Sequence, residues 1–368
     1  MKDFPLFRSL KAGLIGLPLM LLPLAINIVM PEMAVINAFW VMALMPIASC
    51  MAGLIGGAAP MLAGVFSGIA SLYLTAGVPG AQVGAVYFLP IIGMFVAVIL
   101  RRIPFWKSCA AMIGVHVMAL AGCYLLLQKF TGGQLYTAAG DGMIALIPQG
   151  PYGDAVLYSF YEMGLITLPS ALKDTLIKNA EGVLIMGEAA RADLLLSLRT
   201  LINSLVVNFT PSFIVTQSIM GGVCCLLLPL RFGYIAAQRR DFIKTGEDKE
   251  PEAFPDLGMP PLSLWYIPRG WGWKAGLALI GGPLLQQSAT LPLSLAGLIL
   301  SAVGQAVFVL QGLAVINFVQ KAKGTARHWR VIVPILLYAF SILHILGIFD
   351  QITNARRLRK PPEPKEDI

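Results

Sequence analysis

Residues 33 to 100 form a tract of 68 positions without a single Lys, Arg, Asp or Glu. One bilayer crossing takes about 20 apolar residues, so the tract has room for about three helices joined by tight turns. Further charge-free tracts occupy 200–230 and 275–320. Apolar runs and their breaks together predict spans at 12–30, 34–52, 57–76, 84–100, 108–127, 207–230, 275–291, 293–319 and 331–349. The early breaks carry turn residues: Pro31-Glu32, then Gly53, Gly56, Gly57 and Pro60, then Gly77, Pro79 and Gly80. Gly53/Gly57 and Gly64/Gly68 have the G-x-x-x-G spacing that lets helices approach closely.

Between Lys129 and Arg199 the pattern changes, with seven acids and five bases appearing in the segment. Ser170 is placed to cap a helix along which Leu172, Leu176, Ala180 and Leu184 recur at near-helical spacing. A second helical pattern follows in Leu194, Leu198, Leu201, Ile202 and Leu205, with Arg191 and Arg199 among its polar positions. The reading is two amphipathic helices on the bundle or in the interface. The stretch 239–264 combines charge with Pro251, Pro255, Pro260 and Pro261, a composition that predicts an extended or disordered linker. It leads into Trp265, Tyr266, Trp271 and Trp273, which read as an interfacial aromatic belt, with a stacking platform for a base or quinone as the sharper alternative.

The predicted fold class is therefore all-α, a polytopic membrane helix bundle of eight or nine spans with a helical extracytoplasmic insertion. Its divisions are a five-span bundle over 1–127, the insertion over 128–206, a second bundle over 207–360 with a cytoplasmic linker at 239–264, and a disordered tail at 361–368.

Composition agrees: 57% of residues are hydrophobic, 12% are charged and mean hydropathy is +0.76. A net charge of +8 would suit a nucleic-acid partner, but 22 of the 27 Lys and Arg lie in the short segments 2–11, 101–107, 231–274, 321–330 and 356–365. Those segments flank apolar runs, so the excess reports topology and not nucleic acid. Lys2, Arg8 and Lys11 precede a first run too long for a signal peptide, which predicts an uncleaved span with a cytoplasmic N-terminus. Nine spans from that start place the C-terminus outside, whereas the bases at 321–330 and 356–360 belong inside; the count is eight or nine accordingly.

No Lys, Arg, Asp or Glu falls inside any of the nine spans. Proton-coupled transporters usually carry such groups at membrane depth. The embedded polar inventory is instead neutral: Asn27, Asn37, Asn208, Gln217, Gln286, Gln287, Gln305, Gln311 and Asn317, with His116 and His344. Gln305, Gln311, Asn317 and His116 are the candidate contacts for a neutral ligand, and bridging between helices is the alternative use of each. The five cysteines fall in apolar runs without metal-site spacing and read as small buried hydrophobes. Walker A, H-E-x-x-H and G-x-S-x-G sequences are absent. The expectation is a non-enzymatic bundle with no catalytic residue, metal or cofactor, its partners being the lipid bilayer and no nucleic acid.

The last third carries a more specific pattern. Phe254 and Trp265-x-x-Pro268 precede a span, Leu310-Gln311-Gly312-Leu313-Ala314 lies inside the next, and Leu346-Gly347-Ile348-Phe349-Asp350 closes the last, followed by Arg356. This order resembles the YybS-like family of bacterial membrane proteins, a domain of unknown function, most clearly over 200–360. The corresponding residues are Trp265, Pro268, Gln311, Gly312, Asp350 and Arg356, whose roles in that family are unknown. The family is distantly similar to the substrate-binding subunits of energy-coupling-factor vitamin transporters. The resemblance implies the bacterial cytoplasmic membrane, a solute-binding role, and ATPase and coupling subunits as partners. A membrane scaffold or assembly factor, docking other proteins through the glycines of 53–68, is the competing class. On sequence alone Asp350 and Arg356 read as a water-screened ion pair at a helix end, contributing about 0–1 kcal/mol.

Overall fold

The computed structural model describes residues 17–178, 184–245, 257–288, 290–324, 333–334, 336–337 and 342–358. Expectations for 246–256 of the linker with Phe254, the N-terminal bases, most of the 331–349 span and the 361–368 tail lie outside the described residues. The chain divides into two compact units, one of Met1–Cys123 with Ser212–Ile368 and the other of Tyr124–Pro211.

In the first unit, α1 (Leu17–Val29) leads through a 3-10 turn at Pro31–Met33 to α2 (Ala34–Gly56), α3 (Ala58–Arg101) and α4 (Phe105–Phe130). The 44 residues of α3 are two arms, because Ala76 (φ −138°, ψ 18°) and Gly77 (φ 63°, ψ −147°) leave the helical region. Only glycine adopts the Gly77 combination readily, since a Cβ there meets its own backbone. The arms fold back on each other: a Cβ on Gly80 would strike the Leu72 carbonyl oxygen, and one on Gly84 would lie 3.3 Å from the Ile69 Cα. The predicted spans 57–76 and 84–100 are these two arms, with the second starting at 78 because Pro79 sits in its first turn, where a missing N–H costs nothing.

The glycines of the two pairs are all buried. Gly57 has φ 96° and separates α2 from α3. Gly64 packs on Ser49 and Met20, and a Cβ on Gly68 would lie 2.8 Å from the Phe88 ring. Large apolar side chains such as Phe39, Trp40, Phe66, Met118 and Ile280 are exposed on the outside. Water would penalise such a surface, and hydrocarbon does not.

Beyond the second unit, α7 (Glu188–Thr245) continues as one 58-residue helix, so the predicted span 207–230 is its middle. The expected linker at 239–264 is helical through Thr245. A 3-10 turn at Leu262–Leu264 precedes α8 (Arg269–Gln286), α9 (Leu291–Ala322) and α10 (Ile342–Thr353). Among the described residues, Ile36–Gly56, Ala58–Arg101, Phe105–Phe130, Thr210–Gln238 and Pro292–Ala322 are long and apolar enough to cross a membrane.

The second unit contains α5 (Leu135–Ala145), α6 (Pro151–Glu162), a 3-10 helix at Ser170–Thr175, the strands β1 (Leu176–Lys178) and β2 (Leu184–Met186), and the start of α7. The strands pair antiparallel, Leu176 opposite Met186. This corrects the expected amphipathic helix starting at Ser170: Leu172 lies in the 3-10 helix, and Leu176 and Leu184 lie on paired strands, an ambiguity inherent in short apolar runs, while Ala180 lies outside the described residues. The second expected pattern is helical, and Leu194 and Leu198 join Leu157, Ile166, Leu168, Met186 and Ala190 in a small core. Arg191 pairs with Asp154 at 2.7 Å and Arg199 with Asp141 at 2.8 Å.

Candidate functional site: a buried polar clasp between the C-terminal helices

Gln311 lies inside the apolar α9, where its amide must find partners or forfeit hydration. It finds them at the end of α10: Nε2 donates to Asp350 Oδ2 at 2.9 Å and to Gln351 Oε1 at 3.0 Å. Its Oε1 accepts from the Ile267 N–H at 3.4 Å. The approach depends on glycines, since a Cβ on Gly312 would overlap the Leu343 carbonyl oxygen and one on Gly347 the Phe308 carbonyl oxygen. Gly272 of α8 sits against the Gln351 side chain in the same way.

After α10 the chain turns back. Asn354 (φ 51°) and Arg357 (φ 53°) take the left-handed conformation, and the Asn354 N–H donates to the Asp350 carbonyl at 2.8 Å. The turn carries Arg356 inward. Its Nη2 lies 2.8 Å from Asp350 Oδ2 and its Nε 3.1 Å from the same oxygen. Nη1 donates to the Ser263 carbonyl and Nη2 to the Trp265 carbonyl, each at 2.8 Å. The side chains of Arg356 and Asp350 are 2% and 1% exposed. The expectation of a water-screened pair is thereby corrected. Removing water raises the cost of breaking the pair, because either charge left alone has no solvent to turn to.

The entry segment completes the clasp. Trp265 is buried, its indole N–H donating to the Pro260 carbonyl at 3.0 Å. Its ring lies 5.3 Å from those of Phe105 and Trp106, and the Phe105 N–H donates to the Leu257 carbonyl at 2.8 Å. The platform reading therefore does not suit Trp265, whose neighbours are the chain's own rings. Trp271 and Trp273 are exposed, with Lys274 Nζ 4.7 Å from the Trp271 ring centre. Pro268 occupies the N-cap of α8, and its carbonyl accepts from Trp271 and Gly272. Thus Trp265, Gln311, Gly312, Asp350 and Arg356 converge on one node, with Pro268 at its edge. Within the node Arg356 and Asp350 neutralise each other, and Lys321 donates to the Ser263 hydroxyl at 3.3 Å.

The other candidates are dispersed. Gln305 is exposed on α9, and Asn317 is half-buried with no partner for its Oδ1. His116 is buried in α4, its Nδ1 2.8 Å from the Met112 carbonyl and its Nε2 3.7 Å from Cys225 Sγ. Cys50 lies beside Cys225, and Gln217 beside Tyr87. Among the described residues no three His, Cys, Asp or Glu side chains are arranged to hold a metal ion.

A second polar node joins α1, α2 and α3. Asn37 Nδ2 donates to Asn27 Oδ1 at 2.7 Å and to the Pro23 carbonyl at 2.8 Å. Asn27 Nδ2 donates to the Ser71 carbonyl at 2.8 Å, and Thr75 Oγ1 to the same carbonyl at 2.9 Å. The Ser49, Ser67 and Ser71 hydroxyls, in residues at most 1% exposed, have no hydrogen-bond partner. Sequence reasoning found the two asparagines and missed the hydroxyls. The available signal was Ser67, Ser71 and Thr75 recurring every fourth residue inside a span.

Helices of crossing length, apolar outer faces and buried polar nodes define a multi-pass membrane protein. Residues 253–351 match the model of a family described as predicted membrane proteins, DUF2232. The match agrees with the YybS-like resemblance and contains Trp265, Pro268, Gln311, Gly312 and Asp350, while Arg356 lies five residues past it. No curated protein and no solved structure matches the chain.

Proposed function

We propose that this protein is a solute-binding component of the bacterial cytoplasmic membrane, non-enzymatic in itself and dependent on separate ATPase and coupling subunits for energy. The observation that supports this reading is the set of buried, unpartnered hydroxyls at Ser49, Ser67 and Ser71, of which Ser71 adjoins the Asn27–Asn37–Thr75 network through its carbonyl. An unmet buried hydroxyl costs about 1–3 kcal/mol, a cost that a bound neutral polar solute removes. The scaffold reading has less support, because its docking glycines are occupied from within: Gly64 by Ser49 and Met20, Gly68 by Phe88.

The test is mass spectrometry of the small molecules released when the purified protein is denatured. A polar, uncharged solute is expected from the native protein and is expected to vanish in Ser49→Ala/Ser67→Ala/Ser71→Ala, which retains its melting transition. ATPase subunits are expected to co-purify. Extracts free of any solute, in preparations that also lack ATPase subunits, would sink the reading.

A further inference from the structure

The second unit holds a groove of about 670 Å³, lined by residues of α5, α6, β2, α7 and the loop 146–150. That volume falls within the range of small-molecule sites. Ile144, Ile147, Met186 and Leu195 supply apolar walls. Asp154, Glu188 and Arg191 supply charge at the rim.

The charges are not equally available. Arg191 Nη1 donates to Asp154 Oδ1 at 2.7 Å and Nη2 donates to the Pro148 carbonyl at 3.0 Å. That carbonyl is held close by a tight first turn of α6: Gly150 takes φ 89°, and a Cβ on Gly153 would overlap the Pro148 oxygen. Asp154 is 8% exposed. The guanidinium is therefore committed on two sides, and an anion would have to compete with Asp154 and the Pro148 carbonyl for it. Glu188, exposed in the first turn of α7, carries the remaining charge. Two carboxylates against one guanidinium leave the rim with a net negative charge.

We infer that this groove binds an amphiphilic organic cation, its apolar body against Ile144, Ile147, Met186 and Leu195 and its ammonium group at Glu188. The inference stands on residues outside the hydroxyl trio and holds whether or not that trio binds a solute.

Calorimetric titration of the full chain in uncharged maltoside micelles with 2-phenylethylammonium tests it, with 3-phenylpropionate as the anion of similar shape and empty micelles as the blank. The amine is expected to bind and the carboxylate not to. Glu188→Gln is expected to weaken the amine about threefold to fivefold, in line with an exposed charge pair. Leu195→Trp, which fills the groove, is expected to abolish binding; Ala145→Trp at the exposed edge repeats the test should Leu195→Trp lose its melting transition. No amine binding, equal binding of both probes, or amine binding undiminished by the filling variants would overturn the inference.

Discussion

Gln311 and Asp350 are hydrogen-bonded at 2.9 Å across the α9–α10 contact, although 39 residues separate them in the chain. The bond links a neutral side chain inside one apolar helix to a carboxylate at the end of another. Arg356 neutralises that carboxylate and ties it to the entry segment through the carbonyls of Ser263 and Trp265. The clasp therefore closes the family-matched region from both ends, and its loss should loosen α8, α9 and α10 together.

Replacing Arg356 with Ala leaves Asp350 charged and buried. The expected destabilisation is about 3–5 kcal/mol. Asp350→Leu/Arg356→Met removes both charges and is expected to recover most of it. Melting curves of the purified variants, followed by tryptophan fluorescence, check the order; a single variant as stable as the double contradicts the buried pair.

Gly312→Ala and Gly347→Ala place a methyl group against a carbonyl oxygen of the facing helix. Both are expected to lower the melting temperature. Gly93→Ala and Gly114→Ala meet nothing within 4 Å. They are expected to be neutral or to stabilise by up to about 1 kcal/mol, the helix-propensity gain of Ala over Gly. The same melting assay compares the four variants, and similar behaviour in both pairs would argue against close helix approach.

Gly77→Ala forces a side chain into backbone angles that glycine alone tolerates, with open space around it. A loss of about 1–3 kcal/mol is expected from the backbone alone. Unfolding measured for this variant against Ala76→Gly separates the strain from any packing effect.

Tyr136 titrates abnormally. Burial, then its hydrogen bond and proximity to Tyr124, push its phenol up to about 12. The folded state thus favours the neutral phenol more than the unfolded chain does, whose tyrosines ionise near 10. Its contribution to stability is complete below about pH 10 and is lost as pH rises toward about 12. Phenolate absorbance against pH is expected to move toward the ordinary range in Tyr124→Phe, in which the shared hydrogen bond is gone.

The membrane class, the α3 turn at Gly77 and the pairing of Leu194 with Leu198 on one helix face were legible in the chain because each is a local matter of hydropathy, period or backbone freedom. The same local logic misplaced the 170–186 segment, where apolar residues at near-helical spacing also suit a hairpin whose strands pair across the turn. It also treated Asp350 and Arg356 as surface charges.

What the amino-acid sequence by itself determined is that this chain lies in a bilayer: long uncharged tracts must satisfy their peptide groups internally, and helices do so. It also marked Gln311, Gly312, Asp350 and Arg356 as a set. The tertiary structure alone decided that they meet, that water is kept from the ion pair, and that the buried hydroxyls of Ser49, Ser67 and Ser71 stand unpartnered. Burial and partnership depend on residues distant in the chain, and hydropathy read along one strand of sequence carries no information about which helix faces which.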